Sequence, residues 1–272
     1  INARLEYKYT VNGKWELDPL NTNKLDNGVG GENNFFSMPS ALLPPVKVPG
    51  RGKSEKFEID SKDFGKRTIS VYLPAGYDTS AERFGALFLQ DGSDYEKRTF
   101  APGVIDRLIK DSQIKPFILV FIDPKDRIKE YWANDQWADF IANEVVPEVD
   151  KRYRTNADRD GRALLGASLG GITSIHIGLR HPDKFSRLGG QSSSFWVDNE
   201  RVVKGLERLH PAKAKFRFYL DDGIFEGVDD SRRVNVMLRG RGYPVTYIEG
   251  STGHNWTAWG ERLAAAFIAL LN

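Results

Sequence analysis

Gly166-Ala167-Ser168-Leu169-Gly170, with Gly171 following, has the spacing of a nucleophile elbow. It follows the apolar run Arg162-Ala163-Leu164-Leu165 and opens the helical stretch ITSIHIGLR, which is the strand–turn–helix context that a G-x-S-x-G motif needs. The requirement is steric. A serine on so tight a turn has strained backbone angles, and flanking glycines let strand and helix pass close together. Its hydroxyl then stands at the end of a sheet and at the N-terminus of a helix. With 26 glycines in 272 residues, about 0.1–0.2 such pentapeptides arise by chance before the context is demanded. The chemistry on offer is nucleophilic attack by Ser168.

Such a serine needs a base, and the chain has four histidines. His176 lies on the same helix, about 12 Å along its axis, and cannot reach back. His181, before Pro182, reads as a helix C-terminal residue, and His210, before Pro211, as a loop residue. His254 lies in Gly250-Ser251-Thr252-Gly253-His254-Asn255-Trp256, between the last strand and the last helix. That is the carboxyl end of a strand, where open α/β sheets hold their ligands, and the chain order serine, acid, histidine also selects it. The acid should follow the strand Phe216–Leu220, where the candidates are Asp221, Asp222, Glu226, Asp229 and Asp230. Asp229 and Asp230 read as helix N-caps. Spacing leaves Asp222 and Glu226 level. An oxyanion needs donors. Leu169 supplies one amide through the elbow, and Ser93, in Gln90-Asp91-Gly92-Ser93, is expected to supply the second.

The elements that must position these residues form an alternating series. Strands are expected at Thr68–Leu73, Ala86–Gln90, Phe117–Ile122, Ala163–Gly166, Arg187–Gly190, Phe216–Leu220 and Val245–Ile248. Helices are expected at Val104–Asp111, Asn134–Arg152, Leu169–Arg180, Asn199–Leu209, Asp230–Arg239 and Trp256–Leu271. Near-continuous apolar strands such as FILVFI belong to sheets covered on both faces, so the class is α/β with a mostly parallel sheet. Residues 1–50 differ. Leu5–Val11 alternates and Asn12-Gly13 supplies a hairpin turn. An Asn/Gly-rich loop and a short Phe35-Phe36 strand follow, and Pro44, Pro45, Pro49 and Gly50 read as a linker. The expected organisation is a partial β segment over 1–50 and a catalytic domain over 51–272.

Composition excludes several classes. Cysteine is absent, which removes disulfide scaffolds, thiolate metal sites, iron–sulfur clusters and a cysteine nucleophile. A net charge of +2, with charges dispersed, asks for neither nucleic acid nor an anionic membrane. No apolar run approaches the ~20 residues of a membrane span. No metal or cofactor is expected. The start at Ile1, without methionine or a signal-like segment, is expected to be a processing or cloning boundary of a longer protein. Compartment and oligomeric state are left open.

RALLGASLGG, the HPDKF and SSSFW that follow it, and GHNWTAWGERL near the end resemble the putative esterase family of α/β-hydrolases. That family includes enterochelin esterase-like trilactone hydrolases, feruloyl and acetyl-xylan esterases and mycolyltransferases. The resemblance covers about residues 52–272, and IDPKDRIKEY with FIANEVVPEVDKRYRT is most similar to the enterochelin esterase branch. It implies the α/β-hydrolase fold, a cofactor-free ester hydrolase, Ser168 as nucleophile and His254 as base. The family often carries its acid three residues past a glycine, and Gly223-Ile224-Phe225-Glu226 matches, which tips the acid towards Glu226. YKYTVNGKWELDPLN with NGVGGENNFFSMP resembles the closing strands of a glycogen-binding-like, immunoglobulin-related module. Trp15 there is expected in core packing rather than as a sugar platform. Trp196, Trp256 and Trp259 are candidate pocket walls, weighed evenly against plain packing, and suit a catechol or cinnamoyl group. Arg127 and Glu130 are candidate substrate contacts, against a surface ion pair. The expected substrate is a small-molecule or glycan-linked ester. The competing expectations are an inactive hydrolase-fold module that binds a glycan or siderophore, and acyl transfer to an alcohol.

Overall fold

The computed structural model describes residues 2–28, 30–39, 47–212 and 214–272. Pro44 and Pro45 of the expected linker lie outside the described residues. The N-terminal strands are β1 (Arg4–Tyr7), β2 (Tyr9–Val11), β3 (Lys14–Glu16), β4 (Lys24–Asp26) and β5 (Glu32–Ser37). They form an antiparallel sheet in the order β1-β5-β4 and a β2–β3 hairpin. Asn12 and Gly13 turn that hairpin at φ 50° and 78°, the left-handed pair that a two-residue turn requires. Trp15 is not in a core: it stands 73% exposed on the hairpin, which has no second layer to bury it.

The remaining strands are β6 (Lys53–Ser61), β7 (Gly65–Leu73), β8 (Gly85–Gln90), β9 (Phe117–Ile122), β10 (Arg162–Ala167), β11 (Arg187–Gln191), β12 (Arg217–Gly223) and β13 (Val245–Gly250). They form one sheet, ordered β13-β12-β11-β10-β8-β9-β7-β6. Six neighbours from β9 to β13 pair in parallel, and β7 and β6 close one edge antiparallel. This is the α/β-hydrolase architecture, with its N-terminal β-rich segment. The chain leaves β8 to one side for β9 and returns to the other for β10. That reversal opens a crevice beyond the carboxyl ends of β8 and β10. Strand β6 escaped the sequence reading because KSEKFEIDS carries five charges on an edge strand.

The helices are α1 (Gly92–Arg98), α2 (Ala101–Lys110), α3 (Arg127–Tyr131), α4 (Asp135–Phe140), α5 (Val146–Arg152), α6 (Leu169–Arg180), α7 (Val197–Glu207), α8 (Asp229–Gly240) and α9 (Trp256–Leu271). They cover both faces. Trp137, Ile175, Val203 and Val234 belong to the apolar layer on one face, and Ile105, Leu263 and Phe267 to the layer on the other. The expected helix Asn134–Arg152 is present as α4 and α5 joined through a π-helical turn at Ile141–Val145. Widening the turn there accommodates Pro147, whose ring would otherwise meet the carbonyl four residues back. Asp229 and Asp230 are not caps: α8 starts on Asp229 with Val228 at the cap position, and Asp230 pairs with Arg233 instead.

The elbow depends on close passage. A Cβ on Gly166 would lie 2.2 Å from the Gly170 carbonyl oxygen, a backbone atom that cannot swing aside. Gly166→Ala should therefore destabilise the protein by about 1–3 kcal/mol or more, read as a lowered midpoint in urea with an unchanged m-value.

Candidate active site

Ser168 sits between β10 and α6 at φ 57° and ψ −120°, a conformation costly for any residue with a side chain. Its amide donates to the Gln191 carbonyl at 2.8 Å, which fixes the bend to the end of β11. Asp91 and Ser192, at the ends of the two neighbouring strands, also have positive φ, at 58° and 46°. Left-handed backbone at three non-glycine residues of one crevice marks where the fold tolerates strain. In the first turn of α6 the Gly171 and Ile172 amides donate to the Ser168 carbonyl at 3.1 and 3.2 Å, while the Leu169 N–H, the first of the helix, has no acceptor among the described residues.

The acid loop and the histidine loop meet one strand further on. His254 Nδ1 is in a short hydrogen bond with Glu226 Oε2. The other oxygen of Glu226 accepts from the Ser192 hydroxyl at 2.8 Å and from the Gly223 amide. Burial raises the Glu226 carboxyl, but the His254 ring, Ser192 and Gly223 outweigh it and hold the group below its ordinary value, so it is ionised. Of the two acids that spacing left level, Asp222 points elsewhere. It is buried with one oxygen unpartnered, and burial, together with the nearby Glu226 and Asp221 charges, pushes it up to about 8. It is therefore a neutral carboxylic acid at pH 7.

Ser168 and His254 share no hydrogen bond in this arrangement. The Ser168 hydroxyl lies 3.4 Å from the Ser194 hydroxyl, and the Ser194 amide donates to the Ser168 carbonyl. The Ser192–Ser194 turn after β11 thus touches the serine at one end and Glu226 at the other. In the sequence, SSSFW stands out only as part of the family resemblance, which gives these serines no role, although three consecutive serines at a strand's carboxyl end were the available signal.

Several candidates are corrected. The Ser93 amide is not open, because it donates to Asp123 Oδ1 at 2.9 Å. Arg127 is not a free substrate-binding cation. Its guanidinium grips Asp91 through Nε and Nη2 at 2.9 and 2.8 Å and reaches the Ala167 carbonyl at 3.3 Å, so it ties the end of β8 to the elbow. Glu130 is buried against Arg67 at 2.6 Å. Trp259 is buried, and its indole N–H donates to Ser192 at 2.9 Å; its ring meets the His254 ring edge-on at 5.0 Å. Trp256 stacks edge-to-face on Trp259 and Tyr95. Trp196 is 59% exposed and pairs edge-to-face with Trp132, which sequence reasoning did not single out. His176 and His181 face Asp135 and Asp139.

Beside Ser93 and Trp256 opens a cleft of about 470 Å³, whose far wall is the N-terminal segment around Asp26. Asp26 pairs with Arg98 at 2.7 Å, and Gly28 lies so close to Trp256 that a Cβ would come within 2.8 Å of the indole. Among the described residues no cluster of three or more His, Cys, Asp or Glu has metal-binding geometry, and no helix is long and apolar enough to cross a membrane.

The family model described as Putative esterase matches residues 64–270. The Iron(III) enterobactin esterase of Escherichia coli is 26% identical over 279 residues, covering 93% of this chain and 66% of that protein. An Endo-1,4-beta-xylanase/feruloyl esterase of Xylanibacter ruminicola is 27% identical, over 76% of this chain and 30% of its own length. Among solved structures, the enterobactin esterase of Shigella flexneri superposes with a TM-score of 0.77 at 24% identity, covering 94% of this chain and 69% of that one.

Two outcomes follow from the strain and the buried acid. Ser168→Gly should raise the thermal midpoint above that of Ser168→Ala, by relief of about 1–3 kcal/mol of backbone strain. Between the ordinary value of 3.8 and about 8, the unfolded chain releases the Asp222 proton while the folded protein keeps it. Stability therefore falls as pH rises through that window. In calorimetry from pH 5 to 9, Asp222→Asn should flatten this decline, with its advantage over the parent largest at high pH.

Proposed function

This chain belongs to the putative esterase family and is an ester hydrolase, and from that premise we propose a serine carboxylesterase that works through Ser168, His254 and Glu226. The observation that carries the reading is the ionised Glu226 bound to His254 Nδ1, one loop away from a serine held in a strained turn. Glu226 keeps the proton of the imidazole on Nδ1, leaving Nε2 to act as base. The Ser168 hydroxyl turns from Ser194 to His254 as substrate enters, a tightening that free enzymes commonly await. Its oxygen attacks the ester carbonyl while its proton passes to Nε2. Negative charge collects on the carbonyl oxygen, where the Leu169 amide and the N-terminal end of α6 face it. The imidazolium returns the proton to the departing alcohol. Water, deprotonated by His254, then cleaves the acyl-enzyme to acid and free Ser168.

The substrate class is an aromatic or glycan-linked ester, a siderophore trilactone included. The exposed Trp196–Trp132 pair supports it, as do relatives whose names specify enterobactin and feruloyl esters.

With p-nitrophenyl acetate, Ser168→Ala should abolish turnover, and Glu226→Gln should lower kcat by about 10²–10⁴-fold with KM little changed. Asp222→Asn should keep kcat within a few-fold. Full activity in Ser168→Ala would overturn the triad. A parent protein that a serine-directed fluorophosphonate does not label would favour a binding module. Comparing kcat/KM for enterobactin, methyl ferulate and acetylated xylan selects the substrate.

A further inference from the structure

Asp221 has no accessible surface, yet the proposed chemistry does not use it. One carboxylate oxygen accepts from Gln191 Nε2 at 2.8 Å and from the Tyr219 hydroxyl at 2.6 Å. The other accepts from Arg262 Nε at 2.9 Å. Its backbone carbonyl accepts the Ser192 amide at 2.6 Å. Three of these partners, Gln191, Ser192 and Arg262, lead on to the loops of the site. Gln191 supplies the carbonyl that holds the Ser168 amide, and its side-chain oxygen accepts from the Tyr95 hydroxyl of α1 at 2.9 Å. Ser192 holds Glu226. Arg262, itself buried, donates from Nη1 to Thr252 Oγ1 at 2.7 Å, two residues before His254.

Thr252 is the joint. Its carbonyl accepts the Phe225 amide at 3.2 Å, next to Glu226, and presses on Gly223 so closely that a Cβ there would lie 2.2 Å from it. The loop carrying the base is thus clamped to the loop carrying the acid at one residue, and the side chain of that residue is anchored to a buried ion pair. A buried pair is weak evidence for net stability, because desolvation offsets the attraction. Its rigid geometry serves register instead.

We propose that Asp221 and Arg262 are positioning residues for this reaction: through the Arg262–Thr252 hydrogen bond they set the height of the His254 loop against Glu226. The inference rests on the triad reading above. Removing either charge would strand its buried partner and unfold the protein, so the test addresses the neutral end of the link. Thr252→Val keeps shape and removes the acceptor, and Thr252→Ser keeps the acceptor and removes the methyl group. With p-nitrophenyl acetate, Thr252→Val should lower kcat about 10- to 100-fold with KM within about twofold, while Thr252→Ser stays within about threefold of the parent. Both variants should keep the parent's far-ultraviolet circular dichroism. Parental kcat in folded Thr252→Val would overturn the proposal, as would an equal loss in both variants, which would assign the effect to the methyl group. Ser168→Ala run alongside separates the two readings. If it is inactive while Thr252→Val is unimpaired, the triad stands and the positioning role falls. If Ser168→Ala is active, the triad itself falls.

Discussion

One hydrogen bond carries the geometry of this site: the amide of Ser168 donating to the carbonyl of Gln191. It joins the end of β10 to the end of β11 past the point where regular sheet pairing stops, and it holds the serine in a conformation that its own side chain opposes. The glycines around it exist for clearance, since Gly166, Gly171 and Gly190 each have atoms standing where a Cβ would go. The backbone strain is thus over-determined by the sheet, which fixes the Cα of Ser168 and leaves only the rotation of its hydroxyl.

The electrostatics of the neighbouring strand divide the labour among carboxyl groups that lie within six residues of one another. Asp221 is compensated by a guanidinium, a hydroxyl and an amide. Asp222 lacks such compensation at one oxygen and stays protonated. Glu226, on the loop past the strand, keeps a buried side chain but meets an imidazole, a hydroxyl and a backbone amide. The same carboxyl chemistry therefore yields an anchor, an acid that holds its proton or a partner for the His254 ring according to solvation and hydrogen bonding.

Much of this was readable from residue order. The elbow, the late histidine and the seven parallel or buried strands follow from local pattern: glycine spacing, apolar runs, and loops at strand ends. Helices α1 and α3 escaped because seven and five mostly polar residues are too few to show a periodic apolar face. The Ser93 amide is taken up by another residue, and Arg127 and Trp259 follow the alternatives of ion pair and packing that were weighed for them, for a shared reason. Each is correctly located near the crevice, but what its donor faces is set by residues such as Asp123, Asp91 and Ser192, far away in sequence. Proximity to a site can be inferred from topology, whereas the occupancy of a hydrogen-bond donor is a tertiary fact. The acid illustrates the boundary well: spacing kept Asp222 and Glu226 level, the family resemblance tipped the choice to Glu226, and the hydrogen bond to His254 is made by Glu226.

The far wall of the cleft is built by a different stretch of chain from the candidate triad. Asp26 and Gly28 lean on α1 and Trp256 from a small sheet of their own, whereas Ser168, Glu226 and His254 all hang from the central sheet. That small sheet is nevertheless bonded to the loop that carries His254, since the Arg4 amide of β1 donates to the Ser251 carbonyl at 3.3 Å. A shift of the outer strands would therefore be passed on to the histidine loop as well as to the cleft wall.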